Sequence, residues 1–102
     1  MIAILWTYRV KPDSRAAFEA IYFSEGEWAQ LFRRAKGFIG TELLRQPDGR
    51  YATIDRWLRA EDFARFKKEF QAPYEALDRR CEALTLDEQF IGQFDVYEPA
   101  GG

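Results

Sequence analysis

The sequence predicts an α+β domain of the ferredoxin-like type, βαββαβ, with one antiparallel four-stranded sheet and helices on a single face. Three observations carry this. Residues 2–10 and 88–97 alternate as strands at the two ends of the chain. Pro47-Asp48-Gly49 separates two further strand-like runs. Between these strands lie two stretches with apolar residues at helical spacing. One domain, 1–97, with a tail at 98–102, accounts for the 102 residues, since two domains would each be too small to hold a core.

The first strand, IAILWTYRV, ends at Lys11-Pro12 and places Ile2, Ile4, Trp6, Tyr8 and Val10 on one face. Its other face, Ala3, Leu5, Thr7 and Arg9, is also largely apolar, which marks a central strand. Asp13 or Ser14 can cap a helix reaching about Phe23, with Phe18, Ile21 and Tyr22 on its buried side. Ser24-Glu25-Gly26-Glu27 has the form of a capping box, with Phe23 and Trp28 placed as a hydrophobic staple. A second helix is therefore expected from Glu25 to about Ala35, stopped by Gly37. Phe38–Gln46 and Arg50–Leu58 form a hairpin around the Pro-Asp-Gly turn. Helices follow over Glu61–Phe70 and from Pro73, the latter with Tyr74, Leu77, Cys81 and Leu84 as its stripe.

Helices on one face leave Ala3, Leu5, Ile39, Leu43, Ala52, Ile54 and Ile91 on the other. An apolar face of that size calls for a cover, and a second copy of the chain packed sheet to sheet is the simplest one. A homodimer is the expected partner state.

Composition excludes much chemistry. There is no histidine and no asparagine, and cysteine occurs once. Ser-His-Asp and Cys-His catalysis, histidine-ligated metals and thiolate clusters are thereby removed. No glycine-rich strand-to-helix loop offers a nucleotide cradle, so the expectation is no cofactor and no metal. Fifteen basic and seventeen acidic residues leave a net charge of −2, which gives no attraction to nucleic acid or anionic membranes. No apolar run approaches the roughly 18 residues of a membrane span, and the N-terminus lacks the pattern of a signal peptide. A soluble cytoplasmic domain is the expectation. Cys81 reads as a small core residue, and Arg33-Arg34 and Arg79-Arg80 as solvated helix faces.

The first strand ending in RVKP, the segment WAQLFRRAKGFIGTELLR, and YATIDRW followed by an aromatic-rich helix resemble the antibiotic biosynthesis monooxygenase domain family. The resemblance spans roughly residues 2–97, with Pro12, Gly37 and Trp57 as anchors. It implies a dimeric α/β barrel of two ferredoxin-like subunits, with a pocket between sheet and helices in each. It also implies cofactor-free oxygenation of aromatic polyketides or, in one branch, oxidative haem breakdown. That branch uses an asparagine on the first strand, a tryptophan on the third and a histidine on the second helical segment. Here only Trp57 stands in, Trp6 occupies the asparagine position and histidine is absent, which argues against haem degradation.

On the helix side, Trp6, Tyr8, Thr53, Asp55, Trp57 and Phe94 are expected to floor a cavity roofed by Tyr22, Trp28 and Tyr74, with Glu42 on the same face as Asp55. Two readings stand. In the first, the protein is a cofactor-independent oxygenase of a small aromatic or quinone-like molecule. Asp55 is then the base, Tyr8 or Tyr74 a donor, and Trp6 and Trp57 stacking walls. In the second, the aromatics fill a core, Asp55 is tied in an ion pair, and the chain is a non-catalytic dimeric binding or structural module.

Overall fold

A computed structural model describes residues 1–100. Its elements are β1 (Ile2–Val10), a 3-10 turn (Pro12–Ser14), α1 (Arg15–Tyr22), α2 (Glu27–Phe32), β2 (Phe38–Arg45), β3 (Arg50–Trp57), α3 (Ala60–Glu69), α4 (Gln71–Glu82) and β4 (Thr85–Asp95). All strand pairs are antiparallel and the sheet order is β2-β3-β1-β4. This is the expected ferredoxin-like topology. Of the expected tail, residues up to Ala100 form no helix or strand, and Gly101 and Gly102 lie outside the described residues.

The helices cover the face that carries Ile2, Ile4, Tyr8 and Val10 of β1 and Tyr51, Thr53 and Trp57 of β3, all buried. Phe18, Tyr22, Trp28, Leu31, Phe32, Phe66, Leu77 and Cys81 pack down from the helices. Cys81 is thus a buried core residue, as its place on the apolar stripe implies. Gly49 holds the β2-β3 turn and Gly37 the approach to β2, both with φ near +90°. That backbone region penalises any side chain with a Cβ.

The start of α2 differs from expectation. Ser24 caps nothing; the helix begins at Glu27, behind Gly26, which has no side-chain cap. A Cβ at Gly26 would collide with the Ile21 carbonyl, so the chain crosses the end of α1 closer than the capping box allows. Arg33 and Gln30 instead donate from their side chains to the Ser24 and Glu25 carbonyls at 2.9 and 3.0 Å. Phe23, the expected staple, is left exposed.

The sheet register shifts at three places, one of them at Leu86 near the start of β4, and the other two decide which expected site residues face the helices. In β2, Phe38 pairs with Trp57 but Gly40 with Arg56, so Ile39 is an extra residue. In β4, Phe90 pairs with Trp6 but Gly92 with Leu5, so Ile91 is extra. An inserted residue reverses the facing of everything beyond it. Leu43, expected on the open face, therefore packs against the core, and Leu44 takes its place outside.

Candidate functional site

The sheet and the helices enclose a cavity of about 120 Å³. Its lining is Trp6 and Tyr8 from β1, Thr41 from β2, Thr53 and Asp55 from β3, and Glu88 from β4. Above these lie Tyr22 from α1, Trp28 and Phe32 from α2, and Tyr74 and Asp78 from α4. The register explains the floor: Trp6 pairs with Thr53, and Thr41 with Asp55, so all four share one face. A second concavity of about 500 Å³ lies on the helix-free face, around Thr7, Arg9, Leu44 and Ala52.

Asp55 Oδ1 accepts a hydrogen bond from Thr41 Oγ1 at 2.5 Å and takes part in no ion pair among the described residues. Desolvation pushes its carboxyl up to about 6, against the Thr41 hydrogen bond, which pulls it down. A carboxyl at that value can take a proton and release it near neutral pH. Tyr8 and Thr53 hydroxyls are hydrogen-bonded at 3.0 Å, and burial holds the Tyr8 phenol far above its ordinary value. Burial also raises Tyr22 and Tyr74. These tyrosines are therefore neutral and able to donate.

Seven of the ten expected site residues line the cavity: Trp6, Tyr8, Tyr22, Trp28, Thr53, Asp55 and Tyr74. Three do not. Glu42 lies past the β2 bulge, pairs with Ile54 on the open face and makes a salt bridge with Arg56. Phe94 lies past the β4 bulge, opposite Ala3, and is about half exposed. Trp57 is fully buried, its ring 5.2–5.7 Å from those of Phe32, Phe38, Phe63 and Phe66. Its indole nitrogen has no hydrogen-bond partner, so it is a packing residue beneath the site.

Thr41, Asp78, Glu88 and Phe32 line the cavity without having been expected there. Asp78 stands four residues after Tyr74, a spacing that puts both on one side of α4. Glu88 pairs with Tyr8 across the sheet. Gly40 and Gly92, glycines inside strand patterns, are the local signal of the bulges that decide Thr41 and exclude Glu42 and Phe94.

A family profile described as antibiotic biosynthesis monooxygenase matches residues 1–72. Among curated proteins none matches the chain. A mutant of SnoaB, a cofactor-independent oxygenase from Streptomyces nogalater, superposes with a TM-score of 0.73 at 20% identity, covering 99% of this chain and 97% of that one. Rv0793 from Mycobacterium tuberculosis gives 0.70 at 14% identity over 98% of both chains. A MhuD mutant with two manganese protoporphyrin IX molecules bound per active site gives 0.68 at 20% identity over 100% of both. At such identities the likeness is one of fold. The family match supports a monooxygenase-like or small-molecule-binding role, and by it the chain belongs to the antibiotic biosynthesis monooxygenase family.

Proposed function

We propose that the cavity binds a small aromatic or quinone-like molecule and that the protein oxygenates it without a cofactor. The observation that carries this is Asp55: a desolvated carboxyl, in no ion pair among the described residues, lining a cavity with aromatic walls. In such chemistry the substrate supplies the electrons. Asp55 removes a proton from an activated CH₂, or from a phenol whose keto tautomer carries that CH₂, and the resulting carbanion reduces dioxygen and forms a C–O bond. The peroxide then loses water, so CH₂ and O₂ become C=O and H₂O. The chain supplies a base, oriented donors and exclusion of water. With Thr53 as the donor in their shared hydrogen bond, Tyr8 would have its own proton free for a substrate oxygen, and Tyr74 offers a second donor. Trp6 and Trp28 form stacking walls.

The test is oxygen uptake by purified protein with single-ring quinols and phenols. Uptake that follows substrate turnover supports the oxygenase, and uptake absent from every bound compound leaves the binding module.

The assembly proposed is a homodimer closed through the helix-free face. Ile39, Leu44 and Phe94 are each nearly half exposed on that side of the sheet, beside Leu5 and Ile54. Light scattering is expected to give twice the 12.0 kDa chain mass. Ile54→Asp would bury an unpaired charge in the interface and give monomer or aggregate. A well-folded monomer of the unmodified protein would refute this assembly.

A further inference from the structure

The cavity between sheet and helices has only one sign of charge. Asp55 from β3, Asp78 from α4 and Glu88 from β4 all face the space beside Tyr74, and each raises that tyrosine's pKa. No lysine or arginine is in the lining. Elsewhere the chain pairs its acids readily, as in Glu19–Arg45, Glu25–Arg33 and Glu27–Arg80. The three cavity acids have no such partner among the described residues. Asp55 Oδ1 takes the Thr41 hydrogen bond, and the residue lines the cavity. Partial desolvation raises the half-buried Asp78 and the exposed Glu88 as well, and neighbouring acids push each further in the same direction.

The remaining walls reinforce this sign. Trp6, Tyr8, Tyr22, Trp28, Phe32 and Tyr74 bring aromatic rings, whose faces carry partial negative charge. Rings and carboxylates around one space form a receptor for a positive charge on an apolar body. Among the described residues no three acids, histidines or cysteines stand close enough to hold a metal ion. The acids are spread around the aromatic walls, which suits a diffuse organic cation better than a small inorganic one. Size narrows the class further. About 120 Å³ is below the roughly 150 Å³ that accommodates one benzene ring, so at most one ring fits and its substituent must reach beyond the enclosed space.

We propose that the ligand of this cavity is a compact organic ammonium, a single aromatic ring carrying a protonated or quaternary amine. This rests on the reading of the cavity as the ligand site. It also suits proton abstraction there: a cationic substituent offsets the negative charge that forms as Asp55 takes the proton. Aromatics bearing a carboxylate or phosphate are rejected by the same field.

The experiment is calorimetric titration of the full chain with benzyltrimethylammonium, phenethylamine, phenethyl alcohol and phenylacetate. At pH 7.5 the two ammonium compounds are expected to bind about tenfold or more tighter than the alcohol, the scale of a desolvated cation–aromatic contact. Phenylacetate should show no binding. The preference should grow from pH 5 to 7.5 as Asp55 ionises, with Tyr8 of β1, Tyr22 of α1, Thr41 of β2, Tyr74 and Asp78 of α4, and Glu88 of β4 around the cavity. Asp78→Asn with Glu88→Gln should reduce the ratio of ammonium to alcohol affinity. Equal affinity for alcohol and ammonium, or tighter binding of phenylacetate, overturns the inference while the ligand site stands. Failure of all four probes to bind overturns both.

Discussion

Trp57→Ala is expected to destabilise the protein by about 3–5 kcal/mol, the range for removing a fully buried large aromatic side chain. The ring sits at the junction of β3, β2, α2 and α3, in contact with four phenylalanines. Deleting it opens a cavity those rings cannot all move to fill. Since a small domain has only about 5–15 kcal/mol in total, much of the population should unfold at moderate urea. Urea titration followed by circular dichroism measures this. Trp57→Phe should recover most of the loss, because the indole nitrogen has no partner to forfeit. A loss below about 1 kcal/mol for the alanine variant, outside the range for buried aromatics, would show that the cluster is not tightly packed.

Asp55→Asn should separate activity from stability. If Asp55 is the base of an oxygenase, turnover falls by about 10²-fold or more, since an amide cannot accept the proton. Stability should move the other way. The folded-state pKa of Asp55 is raised from 3.8 to about 6, so between those values the native state holds more protons than the unfolded one. Stability from this group therefore declines as pH rises through that window, and the full penalty stands above it. At about 1.4 kcal/mol for each tenfold in proton affinity, the penalty is about 3 kcal/mol. The amide carries none of it and can still accept from Thr41. The variant should be more stable than the parent at pH 8 and nearly equal to it at pH 3.5. Denaturant midpoints at the two pH values decide the matter, and a variant less stable at pH 8 would contradict a desolvated carboxylate. A residue whose ionisation costs stability and whose removal costs turnover is the signature of a site shaped for function.

The order of strands and helices was legible without coordinates, because it depends on periodicities of about 2 and 3.6 and on local turn chemistry. Pro47-Asp48-Gly49 and Gly37 each act over a few residues, and each is found where those residues demand it. The aromatic face of β1 was legible for the same reason: Trp6 and Tyr8 lie two apart on a strand whose face is set by its neighbours Ile4 and Val10. So was Asp55, two residues before Trp57 on a strand without a bulge.

Tertiary structure decided the rest of the site. Facing along a strand is a parity, and a single inserted residue reverses it. Ile39 and Ile91 are such insertions, so Glu42 and Phe94 fall on the open face while Thr41 reaches Asp55. Only pairing with a neighbouring strand reveals which residue is the extra one. The acidic wall is likewise a product of assembly. No local pattern in the sequence singles out Asp78 or Glu88; packing α4 over the sheet beside β4 brings them to the same cavity as Asp55. Trp57 shows the complementary limit: its face was evident from the strand, but whether a ring on that face lines a cavity or fills one depends on the helices above it. The sequence by itself determined the fold and the aromatic floor, since these follow from local spacing. Which acids surround the cavity depended on register and on helix placement, which are properties of the whole folded chain.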